Sequence, residues 1–197
     1  MTDKIDLAAL VGSRICHDLI SPIGAIGNGV ELISMEGSVK GPEMLLISES
    51  VAHANAKIRF FRVAFGAASS DQRIGRNEVA SILSDISHGS RIQIEFDSPA
   101  DLQRRDVKLV FLMLLCLETA LPFGGKVIVE RSEQRWLLRA AAVKLRTDPA
   151  LWDCLVGPVT TEISPAQVQF LLVPDEIRRQ HRRLTTEIGE SEIRLSF

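Results

Sequence analysis

A histidine followed directly by an acid, His17 and Asp18, stands in the stretch CHDLISPIG (16–24), with a proline five residues beyond the histidine. Imidazole attacks well near neutral pH, because its ordinary pKa of about 6.5 leaves much of it neutral with a free lone pair. A neighbouring carboxylate accepts a hydrogen bond from one ring nitrogen, fixing the tautomer and leaving the other nitrogen free to react. Asp18 is placed to do this, and it also reads as an ordinary solvated helix acid. The pair suits nucleophilic catalysis through a covalent intermediate on His17. Pro22 removes a backbone hydrogen bond and crowds the preceding turn, at about 3 kcal/mol in a helix interior. The expectation is that Pro22 kinks or loosens the helix just after His17 and gives the imidazole room to move.

Those residues need a helix to carry them. Leu19, Ile23, Ile26, Val30 and Ile33 recur at spacings of three and four, the mark of an amphipathic helix, and Ala8 and Ile15 extend the stripe. His17 lies about 200° from Ile15 and about 160° from Leu19, away from that stripe. Its face is small and polar, with Ser13, Ser21, Gly24 and Asn28, and with Arg14 and Ile20 at the edges. MEGSVKGPE (35–43) breaks the pattern. A second stripe follows through Ile47, Val51, Ala54, Ile58, Phe61 and Phe65. The two helices form an antiparallel hairpin. One hairpin buries a single side of each helix, so a second copy is expected to complete a homodimeric four-helix bundle.

Counting around the loop brings KIRFFRVAFG (57–66) opposite His17, so Arg59 and Arg62 are expected near it, where a guanidinium can pair with phosphoryl oxygens. Phe60 falls off the apolar stripe and is read as a partner contact or a dimer-packing residue, while both arginines can equally be solvated or bridged to acids. His53, His88 and His181 stand alone and read as structural or surface residues. No metal site is expected, because no Cys/His/Asp cluster has ligand spacing.

The chain has 197 residues and a formal net charge of -2, which gives no reason to expect nucleic acid or an anionic membrane as partner. RRQHRR (178–183) is a local basic run, read as a solvated face or loop. FLMLLCLETAL (111–121) is the most apolar stretch and too short to span a bilayer. The first residues lack the pattern of a secretory signal. Cys16, Cys116 and Cys154 suggest neither a disulfide framework nor zinc. A cytoplasmic location is the resulting expectation.

The remainder reads as mixed: a helix over 77–88, a half-buried strand over 91–98, a helix over about 106–121 and a PFGGK turn (122–126). A strand pair turns around Ser132 and Glu133, and a helix starts with Ser164 as N-cap and Pro165 after it. Pro174 either kinks or ends that helix, and a strand over 192–197 closes the chain. This order implies helices layered on a mainly antiparallel sheet. The fold class is therefore α+β, with a helical hairpin over 1–70 and an α/β sandwich over 71–197.

At this point the residues carry a resemblance. His17, Asp18, Leu19 and Pro22 match the histidine box of sensor kinases, His-Asp/Glu-Leu-x-x-Pro, found on the first helix of a dimerisation and phosphotransfer hairpin. RICHDLISPIGAIGNGVELI with KIRFFRVAFGAA is similar to the ChpT-type histidine phosphotransferases of alphaproteobacteria, closely over 7–68 and beyond that in element order. The resemblance implies that the second half is a degenerate kinase ATP-binding domain. LLCLETALPFGGKVIV keeps the helix, Pro-x-Gly-Gly turn and strand of the kinase stretch, but no asparagine stands where kinases hold magnesium and nucleotide, and Glu118 is the sole remnant candidate. KLRTDPALW (144–152) stands where a glycine-rich turn is expected, and without glycines the backbone cannot approach a phosphate.

The resemblance further implies that His17 accepts a phosphoryl group from the receiver-domain aspartate of a hybrid histidine kinase and passes it to a response regulator. Asp18 would orient the imidazole. Arg14, Ile20, Ser21, Gly24, Asn28, Arg59, Phe60 and Arg62 would form the partner-binding surface. Magnesium would come with the receiver, so no cofactor and no ATP binding are expected of this chain. Two other classes stay open: an ATP-dependent sensor kinase, against which the missing asparagine and glycine turn argue, and a non-catalytic dimeric adaptor, for which His17 would be dispensable.

Overall fold

The computed structural model describes residues 6–36, 41–132 and 135–197. Helix α1 (Leu7–Glu36) and helix α2 (Pro42–Ala64) form the hairpin. Asp6 caps α1, its carboxylate accepting from the backbone N–H groups of Ala8 and Ala9 at 3.1 Å, which satisfies donors the first turn cannot. Pro42 opens α2, where its missing N–H costs nothing. The middle of the loop between them lies outside the described residues. The helices approach closely at Gly29, where a Cβ would meet the Ile47 side chain at 2.6 Å.

Short strand β1 (Arg73–Gly75) leads into α3 (Arg76–Ser87), β2 (Ile92–Asp97), β3 (Asp101–Gln103) and α4 (Arg104–Ala120). Strands β4 (Gly125–Ser132) and β5 (Arg135–Ala141), short helix α5 (Pro149–Asp153), helix α6 (Gln169–Arg179) and strands β6 (Thr185–Ile188) and β7 (Glu192–Ser196) complete the chain. The main sheet has the order β2-β4-β5-β7-β6. Its β2–β4 pair is parallel, joined by the crossover through β3 and α4, and the other pairs are antiparallel. β1 and β3 pair separately, and neither they nor α5 and β6 are expected from periodicity, being too short to carry it. The PFGGK turn depends on Gly124, at φ +91°, where a Cβ would sit 2.5 Å from the Arg91 carbonyl oxygen.

The α+β class agrees with the sequence reading: a helical hairpin, then helices layered on a largely antiparallel sheet. Pro174 lies inside α6 without ending it, and Ser164 caps a single 3-10 turn (Pro165–Gln167) ahead of that helix. α4 is buried on nearly all sides between the sheet and its neighbouring helices, which explains its unbroken apolar run. The basic run is not simply solvated. Arg182 donates to the Asp106 carboxylate at 2.9 Å and lies over the Phe197 ring, and Asp106 is fully buried. A buried charge without such a partner would be strongly destabilising.

The hairpin and the layer that follows share one core. Phe60, Phe61, Val63 and Ala64 of α2 belong to the same buried cluster as α3, α4 and the sheet. The rest of the hairpin is covered much less. Ile23 and Val30 on α1 are 58% and 52% exposed, and Leu45, Val51 and Ile58 on α2 are also open. These include positions of the two stripes that periodicity marks as buried. No helix is long and apolar enough to cross a membrane among the described residues.

Candidate functional site

His17 stands on the outer face of α1 with 82% of its side chain exposed, whereas the adjacent Asp18 side chain is 13% exposed. His17 Nδ1 lies 3.1 Å from Asp18 Oδ1. A carboxylate only accepts hydrogen bonds, so Nδ1 is the donor in this contact, which in the neutral ring leaves the lone pair on Nε2. The site thus joins a freely accessible ring to an acid held from behind.

Two helices hold that acid, and a third meets one of its partners. Arg14, one turn earlier on α1, places Nε 3.0 Å from Asp18 Oδ2. Lys57 on α2 donates to the Asp18 backbone carbonyl at 3.1 Å, and its Nζ lies 4.0 Å from Asp18 Oδ2. Glu118, at the end of α4, lies 3.8 Å from Arg14 Nη2. Desolvation pushes the Glu118 carboxyl above its ordinary range; Asp18 adds to the effect, and Arg14 and Lys57 oppose it. Behind the group, a cavity of about 80 Å³ is lined by Phe60, Phe61, Leu114 and Leu115 together with Asp18, Lys57 and Glu118.

The face around His17 is open. Ser13, Ile20, Ser21, Gly24 and Asn28 are all exposed, and a Cβ at Gly24 would meet nothing within 4 Å. Apart from Ile20, 68% exposed, the side chains on this face are small.

Two of the expected partner contacts, Phe60 and Arg14, are turned inward, while Arg59 and Arg62 follow the other reading and bridge to acids, with Arg62 still 65% exposed. Phe60 is buried and stacks on Phe111 of α4, because α2 turns this side chain toward the second layer. Arg59 pairs with Asp85 of α3 and Arg62 approaches Glu78 of the same helix at 3.7 Å. Both arginines lock α2 to α3. Arg14 is also largely buried: it forms an ion pair with Asp18, and its Nη1 donates to the Ala166 carbonyl at 2.6 Å. Pro22 does not interrupt α1, which runs through it from Leu7 to Glu36. The carbonyl that a proline at 22 leaves without its helical donor is that of Asp18, and it is the one Lys57 bonds.

Lys57 and Glu118 are the residues at this site that reasoning from periodicity missed. The signal for Lys57 is present in the chain: Pro22 deprives one carbonyl of its donor, and a lysine stands in the stretch expected to face it. Glu118 comes from a distant helix, and the sequence marked it only as a remnant of the kinase stretch, not as a neighbour of His17. Among the described residues, no group of three or more His, Cys, Asp or Glu side chains is arranged to hold a metal ion.

Comparisons with known proteins agree with this architecture. A profile for the histidine phosphotransferase C-terminal domain matches residues 76–192. The chain is 34% identical over 164 residues to protein phosphotransferase ChpT of Brucella abortus (strain 2308), covering 80% of this chain and 78% of that protein. It also superposes on a bacterial phosphotransferase solved at 1.7 Å with a TM-score of 0.82 at 29% identity, covering 100% of this chain and 97% of the other. Profile, relative and fold agree over most of the length, and the chain belongs to the histidine phosphotransferase family.

Proposed function

We propose that this protein is a homodimeric phosphotransferase of a multistep phosphorelay. His17 carries a phosphoryl group from the receiver aspartate of a hybrid histidine kinase to the aspartate of a response regulator. The observation that carries the reading is the contrast at one helix position: the His17 ring is open to solvent, yet its Nδ1 is tied to a shielded carboxylate.

The transfer balances without a cofactor on this chain. The Nε2 lone pair attacks phosphorus, an N–P bond forms, and the P–O bond to the donor aspartate breaks with its electron pair leaving on that carboxylate. The ring keeps its Nδ1 proton and becomes an imidazolium, whose positive charge faces Asp18. Return of the group to the next aspartate reverses these steps. Phosphoryl transfer of this kind depends mainly on positioning and charge stabilisation. Magnesium is supplied by the receiver domain, and the small face at Ile20, Ser21, Gly24 and Asn28 receives a receiver helix.

The open apolar side chains on α1 and α2, Ile23, Val30, Val51 and Ile58, support the homodimer, because a second hairpin covers them and completes a four-helix bundle. Kinase activity of its own finds no support in KLRTDPALW, which lacks the glycines of a phosphate-cradling turn. The protein works in the cytoplasm on this reading.

The test is to mix the protein with a receiver domain carrying labelled aspartyl phosphate and to follow acid-labile label, with His17→Gln beside the wild type. Label should reach the wild type alone, and ATP by itself should label neither. Equal labelling of His17→Gln would overturn the assignment.

A further inference from the structure

We infer that Lys57 is a positioning residue for transfer: it replaces the helix hydrogen bond lost at Pro22 and so holds Asp18, and through it the His17 ring. The inference rests on the reading of His17 as the phosphoryl carrier and adds the residue that keeps it aimed.

In a helix, the N–H of residue 22 would donate to the carbonyl of residue 18. Proline has no N–H, and its ring crowds that carbonyl. Loss of this bond falls on the residue whose side chain orients the nucleophile. A backbone carbonyl left unbonded beside a partly enclosed carboxylate would let that turn of α1 shift. Lys57 crosses from α2 and bonds the carbonyl at 3.1 Å. The same ammonium stands 4.0 Å from Asp18 Oδ2, which Arg14 contacts from the other side. Asp18 is therefore held at its backbone by α2 and at its carboxylate by α1, with Oδ1 left for His17.

The geometry also explains why a lysine serves here. Lys57 lines the small cavity together with Phe60 and Phe61, and its single charged end reaches the carbonyl and lies 4.0 Å from the carboxylate. Pro22 and Lys57 form one device. The proline frees a carbonyl on the side of α1 that faces α2, and the lysine uses it to register the two helices at the level of the nucleophile.

The experiment measures single-turnover phosphoryl transfer at saturating labelled receiver, together with receiver affinity and the ¹⁵N spectrum of the His17 ring. The wild type and His17→Gln are run first: labelling of His17→Gln, or failure to label the wild type, overturns the carrier reading itself. With that reading intact, Lys57→Met should slow transfer roughly tenfold with receiver affinity unchanged, and should mix the ring tautomers. Pro22→Ala combined with Lys57→Met restores a backbone N–H at position 22, and should recover most of the rate and the single-tautomer spectrum. Lys57→Arg should retain both in part. Lys57→Met transferring at the wild-type rate would overturn the inference. So would a double variant that folds yet is no faster than Lys57→Met.

Discussion

Phe60 of α2 stacks on Phe111 of α4, with ring centroids 4.6 Å apart and planes inclined by 28°. The contact joins the hairpin that carries His17 to the layered domain behind it. Arg59 with Asp85 and Arg62 with Glu78 reinforce the same seam at the surface. Exposed ion pairs of that kind are worth about 0–1 kcal/mol each, so the burial of Phe60 with Phe61, Val63 and Ala64 in the shared core dominates the attachment.

Phe60→Ala should accordingly destabilise the protein by about 3–5 kcal/mol, the range for emptying a buried aromatic site. Urea unfolding measures it. A loss below about 1 kcal/mol would mean that α2 can repack on α4 without the ring.

Asp18→Asn keeps the shape of the side chain but gives up its charge, and with it the stabilisation of a phosphorylated imidazolium. Transfer from a labelled receiver should slow about 100-fold, the scale of a misaligned or uncompensated reacting group. Receiver binding should stay within about twofold, because the shielded carboxylate does not reach the docking face. An unchanged transfer rate would remove Asp18 from the mechanism.

Ile23 and Val30 face away from His17, so a charge placed there should disrupt the pairing of hairpins without touching the nucleophile. On the proposal of a homodimer, the wild type should sediment as a dimer and Ile23→Asp as a monomer in sedimentation equilibrium at micromolar concentration. A wild type that sediments as a monomer would remove the dimer from the proposal.

Glu118 supplies a pH test. Desolvation raises its carboxyl pKa in the folded state, so its neutral form is the one that folding favours. Stability from that form is complete below the unfolded-state pKa and is lost as pH rises through the higher folded-state value. Glu118→Gln keeps a neutral side chain at every pH. It should match the wild type near pH 4 and exceed it above the raised pKa, by an amount that the Arg14 contact and the 57% exposure of the side chain both keep small. Thermal unfolding at pH 4 and pH 8 checks this, and a difference independent of pH would contradict it.

Much of this was legible in the residues alone. Spacings of three and four place α1 and α2, the alternation of Ile92, Ile94 and Phe96 places β2, and the apolar run at 111–117 places α4 in the interior. Arithmetic at 100° per residue puts His17 on a cleared face, and adjacency offers it Asp18. These are local properties, set by the helical and strand periods. The directions of long side chains across elements are not local. Periodicity leaves Phe60 off the hairpin stripe, and only the packing of α2 on α4 sends it inward. Arg14 looked available to a partner until the turn at Pro165–Gln167 supplied an acceptor, and α3 decided which acids Arg59 and Arg62 meet. The proline in CHDLISPIG shows the division most plainly. Sequence determines that the Asp18 carbonyl loses its donor; tertiary structure decided that Lys57 replaces it, because which helix faces which, and at what register, depends on packing that no single stretch contains.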